Sequence, residues 1–275
     1  MVPKETSHMS DPEVQIERDG PLAVVTLNDP ATRNALSSPV IKALVGFLEC
    51  ANRDPALGCI VITGAGDAFS SGGNVRDMQD GDDPMFHGPP FDMMEGYRNA
   101  IQKIPLAFAK LDVPTIAAVN GAAVGAGCDL ACMCDIRLAA PQAQFAESYL
   151  RVGLVPGDGG AWYLPRVIGM PRALEMSLTC DLIGAEQAER WGLVSRIVPE
   201  DNLLSESLKV ARKIASFPPL SARLNRRLIR NAAEMSLQSC LELSASYQAI
   251  VQHTSDHREA INALLQKRPP LFLGR

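Results

Sequence analysis

Apolar residues in this chain fall into short continuous runs that alternate with stretches of three- and four-residue spacing. Leu22–Leu27, Cys59–Thr63, Thr115–Val119 and Ile136–Ala139 are runs of strand length, too unbroken for strands with one wet face. Ser38 to Ala51 carries apolar positions at helical spacing, with Ser37 or Ser38 near its N-cap. Strands alternating with helices predict an α/β fold of stacked turns with buried sheet faces. After Leu193–Val198 the spacing becomes helical to the end, and it predicts helices over Leu203–Ser216, Pro219–Asn231, Ser236–Gln252 and Ser255–Lys267. Between these parts, Gln79 to Phe91 is acidic and broken by Gly81, Pro84, Gly88, Pro89 and Pro90, so it reads as a long loop of the lid kind. Around it, Met85, Phe86, Phe91, Met93, Met94 and Tyr97 either line a pocket or pack the next helix.

Two glycine-rich junctions follow two of the strands. Gly64 to Gly73 comes after Cys59–Thr63, and Gly121 to Gly127 comes after Thr115–Val119 and opens a helix. Glycine lets backbone approach a ligand closely. The unpaired N–H groups of a first helical turn point outward and favour negative charge. Asp129 lies three residues after Ala126, so a carboxyl and free donors converge on one small volume. Paired backbone donors beside an acid are a way to stabilise an oxyanion.

The ordered motifs that carry these junctions resemble the enoyl-CoA hydratase/isomerase (crotonase) superfamily. They are Asn28-Asp29-Pro30 with Arg33-Asn34-Ala35-Leu36; Ala68-Phe69-Ser70-Ser71-Gly72-Gly73-Asn74; Pro114 to Gly121; Gly125-Ala126-Gly127-Cys128-Asp129-Leu130; Cys134-Asp135-Ile136-Arg137; Phe145-Ala146-Glu147; and Gly153 to Gly160. Ala185-Glu186-Gln187-Ala188 to Gly192-Leu193-Val194 follows. The resemblance spans residues 12 to 272. It implies a crotonase (ClpP/crotonase-like) fold of repeated ββα turns, with a core over 12–199 and a C-terminal helical trimerisation subdomain over 200–275. It further implies an acyl-CoA thioester substrate, with no cofactor beyond the coenzyme A of the substrate itself, and a homotrimer or hexamer.

By the same resemblance, the backbone N–H groups of Gly73 and Ala126 form the oxyanion hole. Arg33 and the backbone of Ala68, Ser70 and Ser71 match positions that hold the CoA nucleotide, and Lys267 matches a lysine that reaches a neighbouring subunit's CoA. Asp129 matches the first of two hydratase glutamates, shorter by one methylene; the bland alternative is an acid that complements the helix dipole. At the second glutamate position this chain has Tyr149 instead. Glu147 and Asp158 are the nearby acids, with Asp158 either catalytic or the N-cap of the helix that holds Trp162. The expectation is hydration of 2-trans-enoyl-CoA. The alternatives are an isomerase that uses Asp158 or Glu147 as proton shuttle, and a silent relative that binds RNA through Arg223, Arg226, Arg227 and Arg230.

Composition narrows this list. The formal net charge is −5 and the pI about 5.4, which gives no electrostatic reason to expect nucleic acid. Seven cysteines without paired Cys-x-x-Cys spacing read as reduced, buried thiols of a cytoplasmic protein rather than metal ligands. His253 and His257 have helical metal spacing but lack a third ligand nearby, so no metal is expected. No apolar run reaches the ~18 residues of a membrane span, so no membrane partner is expected. Residues 1–11 are polar, with Ser7-His8-Met9 like a cloning scar, and are expected to be a disordered tail or tag remnant.

Overall fold

The computed structural model describes residues 13–81 and 85–274; the expectation for the first eleven residues lies outside them. A hairpin of β1 (Val14–Asp19) and β2 (Leu22–Leu27) opens the fold, followed by α1 (Ser38–Arg53). Then β3 (Cys59–Gly64) turns a corner into β4 (Ala68–Ser70), and three short helices follow: α2 (Val75–Asp80), α3 (Pro90–Asn99) and α4 (Lys103–Lys110). The same strand–corner–strand unit recurs as β5 (Thr115–Val119) and β6 (Ala122–Val124) ahead of α5 (Ala126–Met133). It recurs again as β7 (Ile136–Ala139) and β8 (Gln144–Ala146) ahead of α6 (Gly160–Ile168) and α7 (Met170–Thr179). The chain continues through β9 (Ile183–Gly184), α8 (Ala185–Arg190) and β10 (Arg196–Ile197) into α9 (Leu203–Ala215), α10 (Pro219–Ala232), α11 (Leu237–Gln252) and α12 (Ser255–Gln266).

The first strand of each unit joins one sheet and the second joins another. The orders are β1-β2-β3-β5-β7-β10 and β4-β6-β8-β9. Pairing is parallel from β2 through β10 and from β4 through β8. Both faces of the larger sheet are covered, which is why its strands are unbroken apolar runs. Ile60, Ile62, Ala117 and Val119 enter the main core with α1 and α5, whereas Cys59, Val61, Ile116 and Ala118 face a second core under α9. So α9 belongs with the sheet that it covers.

The corners repeat in register because one amide ties them together. Asn120 accepts from the Gly64 N–H at 3.2 Å and donates to the carbonyls of Gly66 (3.0 Å) and Ala68 (3.2 Å). Gly121 is needed there: a Cβ on it would sit 1.9 Å from the Asp67 carbonyl oxygen.

The basic stripe of α10 points inward. Arg226 and Arg230 grip the two oxygens of Asp135 at 2.7 and 2.9 Å, and Asp135 also accepts from the Thr115 N–H. Burial pushes the Asp135 carboxyl up, but the two guanidiniums more than offset this and hold it below its ordinary range. Arg227 pairs with Asp112, and Arg223 donates to the carbonyls of Asn52 and Leu57. Each arginine of the stripe thus has an acid or a carbonyl partner within the fold.

Replacing Asp135 with alanine should destabilise the fold by roughly 3–5 kcal/mol, because it strands a buried arginine. Chemical denaturation measures it, and a loss below about 1 kcal/mol would mean that the cluster is only a surface ion pair.

Candidate active site

Two of the corners meet at one gap. Gly72 has φ +79°, and a Cβ on it would lie 2.4 Å from the Val124 carbonyl oxygen and 2.9 Å from the Ala126 nitrogen. The β4 loop therefore lies directly against the start of α5. Its position is fixed from the other side too, since the Leu36 N–H donates to the Gly72 carbonyl at 2.8 Å. Ala126 is the first residue of α5, after Gly125 at φ +52°. Its N–H is one of the donors that a helix start leaves without an intrahelical partner. Gly73 and Ala126 both line a narrow cavity of about 60 Å³, and so do Tyr149 and Asp158.

The acids are arranged in depth. Asp158, on the turn before α6, and Tyr149, on the helical turn Tyr149–Val152, face the cavity. Asp129 on α5 and Glu147 after β8 do not line it; they lie behind, with 0% and 1% of their surface exposed. Asp129, expected as the acid of the site, reaches the cavity through Tyr149: its helix is buried along its length, and its carboxyl meets the Tyr149 hydroxyl. Asp158 is not a helix cap either. Gly159 holds the N-cap position of α6, and the Asp158 carboxyl meets the Tyr149 hydroxyl instead.

Tyr149 joins the two aspartates. Its hydroxyl oxygen is 2.6 Å from Asp129 Oδ2 and 2.6 and 2.7 Å from the two oxygens of Asp158. A hydroxyl has one proton to donate, so one of the two carboxyls must be protonated and donate to the phenol oxygen. Burial, then the charges of Asp158 and Glu147, push Asp129 well above the usual carboxylate range. Asp129 therefore carries the proton, and the Tyr149 O–H points to Asp158. Burial, then Asp129 and Asp158, push the phenol up as well, so it keeps its own proton. The result is a chain of short contacts from the Asp129 carboxyl through the Tyr149 hydroxyl to the Asp158 carboxyl.

Two features that support this chain escaped the sequence reading. A Cβ on Gly160 would sit 2.2 Å from Asp129 Oδ1, so only glycine admits the aspartate there; the Gly159-Gly160 pair was the visible sign. Gln102 donates to the Gly157 carbonyl at 2.9 Å and fixes the Asp158 turn. Of the candidate pocket residues, Met85, Phe86 and Tyr97 line the cavity, whereas Phe91 is 66% exposed.

The expected nucleotide contacts are more scattered. Arg33 adopts left-handed backbone (φ 58°, ψ 45°) and is partly exposed, with no ion-pair partner among the described residues. Its carbonyl accepts from the Ser71 N–H at 2.8 Å, which joins the two loops. Ser71 is partly exposed, but Ala68 and Ser70 are buried. The Ser70 hydroxyl is occupied by the Asn34 carbonyl and the Gly72 N–H, so as side chains these two are out of a ligand's reach. Lys267 is exposed at the C-cap of α12 and does not line this cavity. Among the described residues, no group of three or more His, Cys, Asp or Glu could hold a metal ion, and no helix is long and apolar enough to cross a membrane.

Known proteins resemble this chain along nearly its whole length. A family model described as enoyl-CoA hydratase/isomerase matches residues 17–275. The 2,3-dehydroadipyl-CoA hydratase of Escherichia coli strain K12 is 35% identical, over 96% of this chain and 99% of its own. The 1,2-epoxyphenylacetyl-CoA isomerase of the same organism is also 35% identical, over 91% and 94%. The crystal structure of an enoyl-CoA hydratase from Bacillus anthracis superposes with a TM-score of 0.87 at 29% identity, covering 96% of this chain and all of that one. With its two-sheet corners, its paired backbone donors and a match across nearly its full length, the chain belongs to the enoyl-CoA hydratase/isomerase family.

Proposed function

We propose that this protein adds water across the double bond of a 2-enoyl-CoA thioester, with Gly73 and Ala126 as the oxyanion hole and Asp158 and Tyr149 as the groups that move protons. The observation that carries this reading is that all four line one cavity. The chemistry follows from their order. The thioester oxygen takes the two N–H bonds, each worth roughly 3–4 kcal/mol as negative charge develops. Water attacks Cβ and gives its proton to the Asp158 carboxylate. The enolate is protonated at Cα by the Tyr149 O–H, and Asp129 refills the phenol. The proton on Asp158 then returns through Tyr149 to Asp129. Net, H and OH add across C=C and every protein group ends as it began. In this reading Arg33 and the Ser71 backbone meet the nucleotide end, and Lys267 reaches a neighbouring subunit's CoA.

One observation favours a second reading. Among the described residues Asp158 lines the cavity beside Tyr149, with Asp77 also on its wall, and one base suffices to carry a proton from Cα to Cγ of a 3-enoyl-CoA. Loss of enoyl absorbance with crotonyl-CoA supports hydration. A 3-enoyl-CoA that is converted while crotonyl-CoA is untouched supports isomerisation.

The assembly expected of this reading is a trimer or hexamer. Leu237, Leu264 and Leu265 on the last helices are more than 75% exposed, an apolar face that a second copy would cover. Light scattering should give a trimer or hexamer, and a monodisperse monomer at micromolar concentration would remove this part.

Because proline is tolerated at the first position of a helix, Ala126→Pro deletes the N–H while leaving α5 able to form. Turnover should fall by about 10²-fold or more, and Ala126→Gly should change little. Equal damage from both would mean that Ala126 acts through packing.

Among the acids, Asp158→Asn should cost about 10²–10⁴-fold in kcat with KM nearly kept. Tyr149→Phe should come next and Asp129→Asn last, because each acts one step further from the substrate. Near-normal turnover in Asp158→Asn would place the chemistry on another group.

A further inference from the structure

Glu147 takes no part in the steps above, yet it is the most anomalous side chain near them. It is 1% exposed, and its hydrogen-bonding neighbours are the Asp129 carboxyl and the Cys128 thiol, with no N–H on either oxygen among the described residues. Burying a carboxyl against a second carboxyl, without an N–H or a basic partner, costs stability, on the order of 1–3 kcal/mol or more. Packing gives no reason for an acid here, because glutamine would fill the same volume without the charge. The Oδ1 of Asp129 is likewise buried without an N–H donor, and the Asp129 carboxyl is the group that meets Glu147.

We propose that Glu147 is a positioning residue for the site, its charge holding a proton on Asp129 and so setting the direction in which the Tyr149 hydroxyl donates. This rests on the hydratase reading for its purpose, but not for its physics. The groups that face Glu147 are Asp129 and Cys128 of α5, Tyr149, and Asp158 of the turn before α6. No basic side chain figures among the groups that perturb these residues. The Cys128 thiol stays neutral, pushed up by its hydrogen bond with Cys132 and by burial. That leaves three carboxyls in one dry space, which cannot all ionise. Burial raises Glu147 itself to about 7, below the stronger upward push on Asp129. So above neutral pH the negative charge sits on Glu147 and the proton on Asp129. Without that charge, Asp129 releases its proton more readily, and the Tyr149 hydroxyl is free to turn towards it and away from Asp158.

The sign of the stability effect follows. A carboxyl raised from 4.5 to about 7 on folding contributes stability that is present below 4.5 and lost as pH rises through 7. Glu147→Gln should therefore be at least as stable as the native chain at pH 8, which a purely structural glutamate would not be.

The deciding experiment uses the substrate-free protein. Difference infrared spectroscopy across pH follows the carboxylic-acid C=O band of Asp129, identified by its absence in Asp129→Asn. In Glu147→Gln this band should be lost about one pH unit lower than in the native chain, equivalent to about a tenfold change in the protonated-to-ionised ratio. In Glu147→Asp, which keeps the charge, it should move much less. An unmoved band in Glu147→Gln overturns the proposal, as does an equal shift in both variants. Where the protein turns over crotonyl-CoA, the alkaline limb of kcat should follow the band in Glu147→Gln with KM kept; a limb that stays put while the band moves overturns the link to Tyr149. Absence of any turnover sinks the hydratase reading alone, and the band still decides the role of Glu147.

Discussion

One phenolic proton stands between two carboxyl groups, and much of the molecule is arranged around where it goes. At 2.6 Å from both Asp129 and Asp158, the Tyr149 oxygen can be satisfied only if one aspartate keeps a proton. The fold decides which. It encloses Asp129 in α5, a helix buried along its whole length, and leaves Asp158 on a turn that opens to the cavity. Burial disfavours charge at Asp129, so the proton stays there. Tyr149 stands between the two as a hydroxyl that keeps its own proton.

That arrangement costs stability, and the scaffold offsets it with rigidity. Each corner of the two-sheet stack is held by backbone contact too close for a side chain. Gly72 lies against Val124, Gly121 against Asp67 and Gly160 against the Asp129 carboxyl. Asn120 and Asn34 tie successive corners by amide hydrogen bonds to the Ala68 carbonyl. The same close approach that lets the turns stack also brings Gly73 and Ala126 to one cavity.

How much of this was legible in the sequence depended on how local each feature is. The unbroken runs of β3, β5 and β7 are readable because both faces of their sheet are buried. The partners β4, β6 and β8 are three residues long, too short to show any period, and only the glycines around them mark the corners. The helices of the last quarter agree with their spacing to within a residue or two, since capping and periodicity are local signals. The site was legible as a set of residues but not as an order in depth. Asp129 reads as a substrate-facing acid because its place along the chain is right; that Tyr149 lies in front of it is a fact of tertiary contact between segments 20 residues apart. The arginines of α10 likewise read as a surface stripe until Asp112 and Asp135 were found beneath them.

A crystal structure with a non-reactive acyl-CoA thioester bound tests the central claim most directly. The account predicts the thioester oxygen about 2.7–3.1 Å from the nitrogens of both Gly73 and Ala126. It predicts Asp158 and the Tyr149 hydroxyl beside Cα and Cβ, with Asp129 still behind the phenol. A thioester oxygen bound away from those two nitrogens, or Asp129 in direct contact with Cα or Cβ, would contradict it.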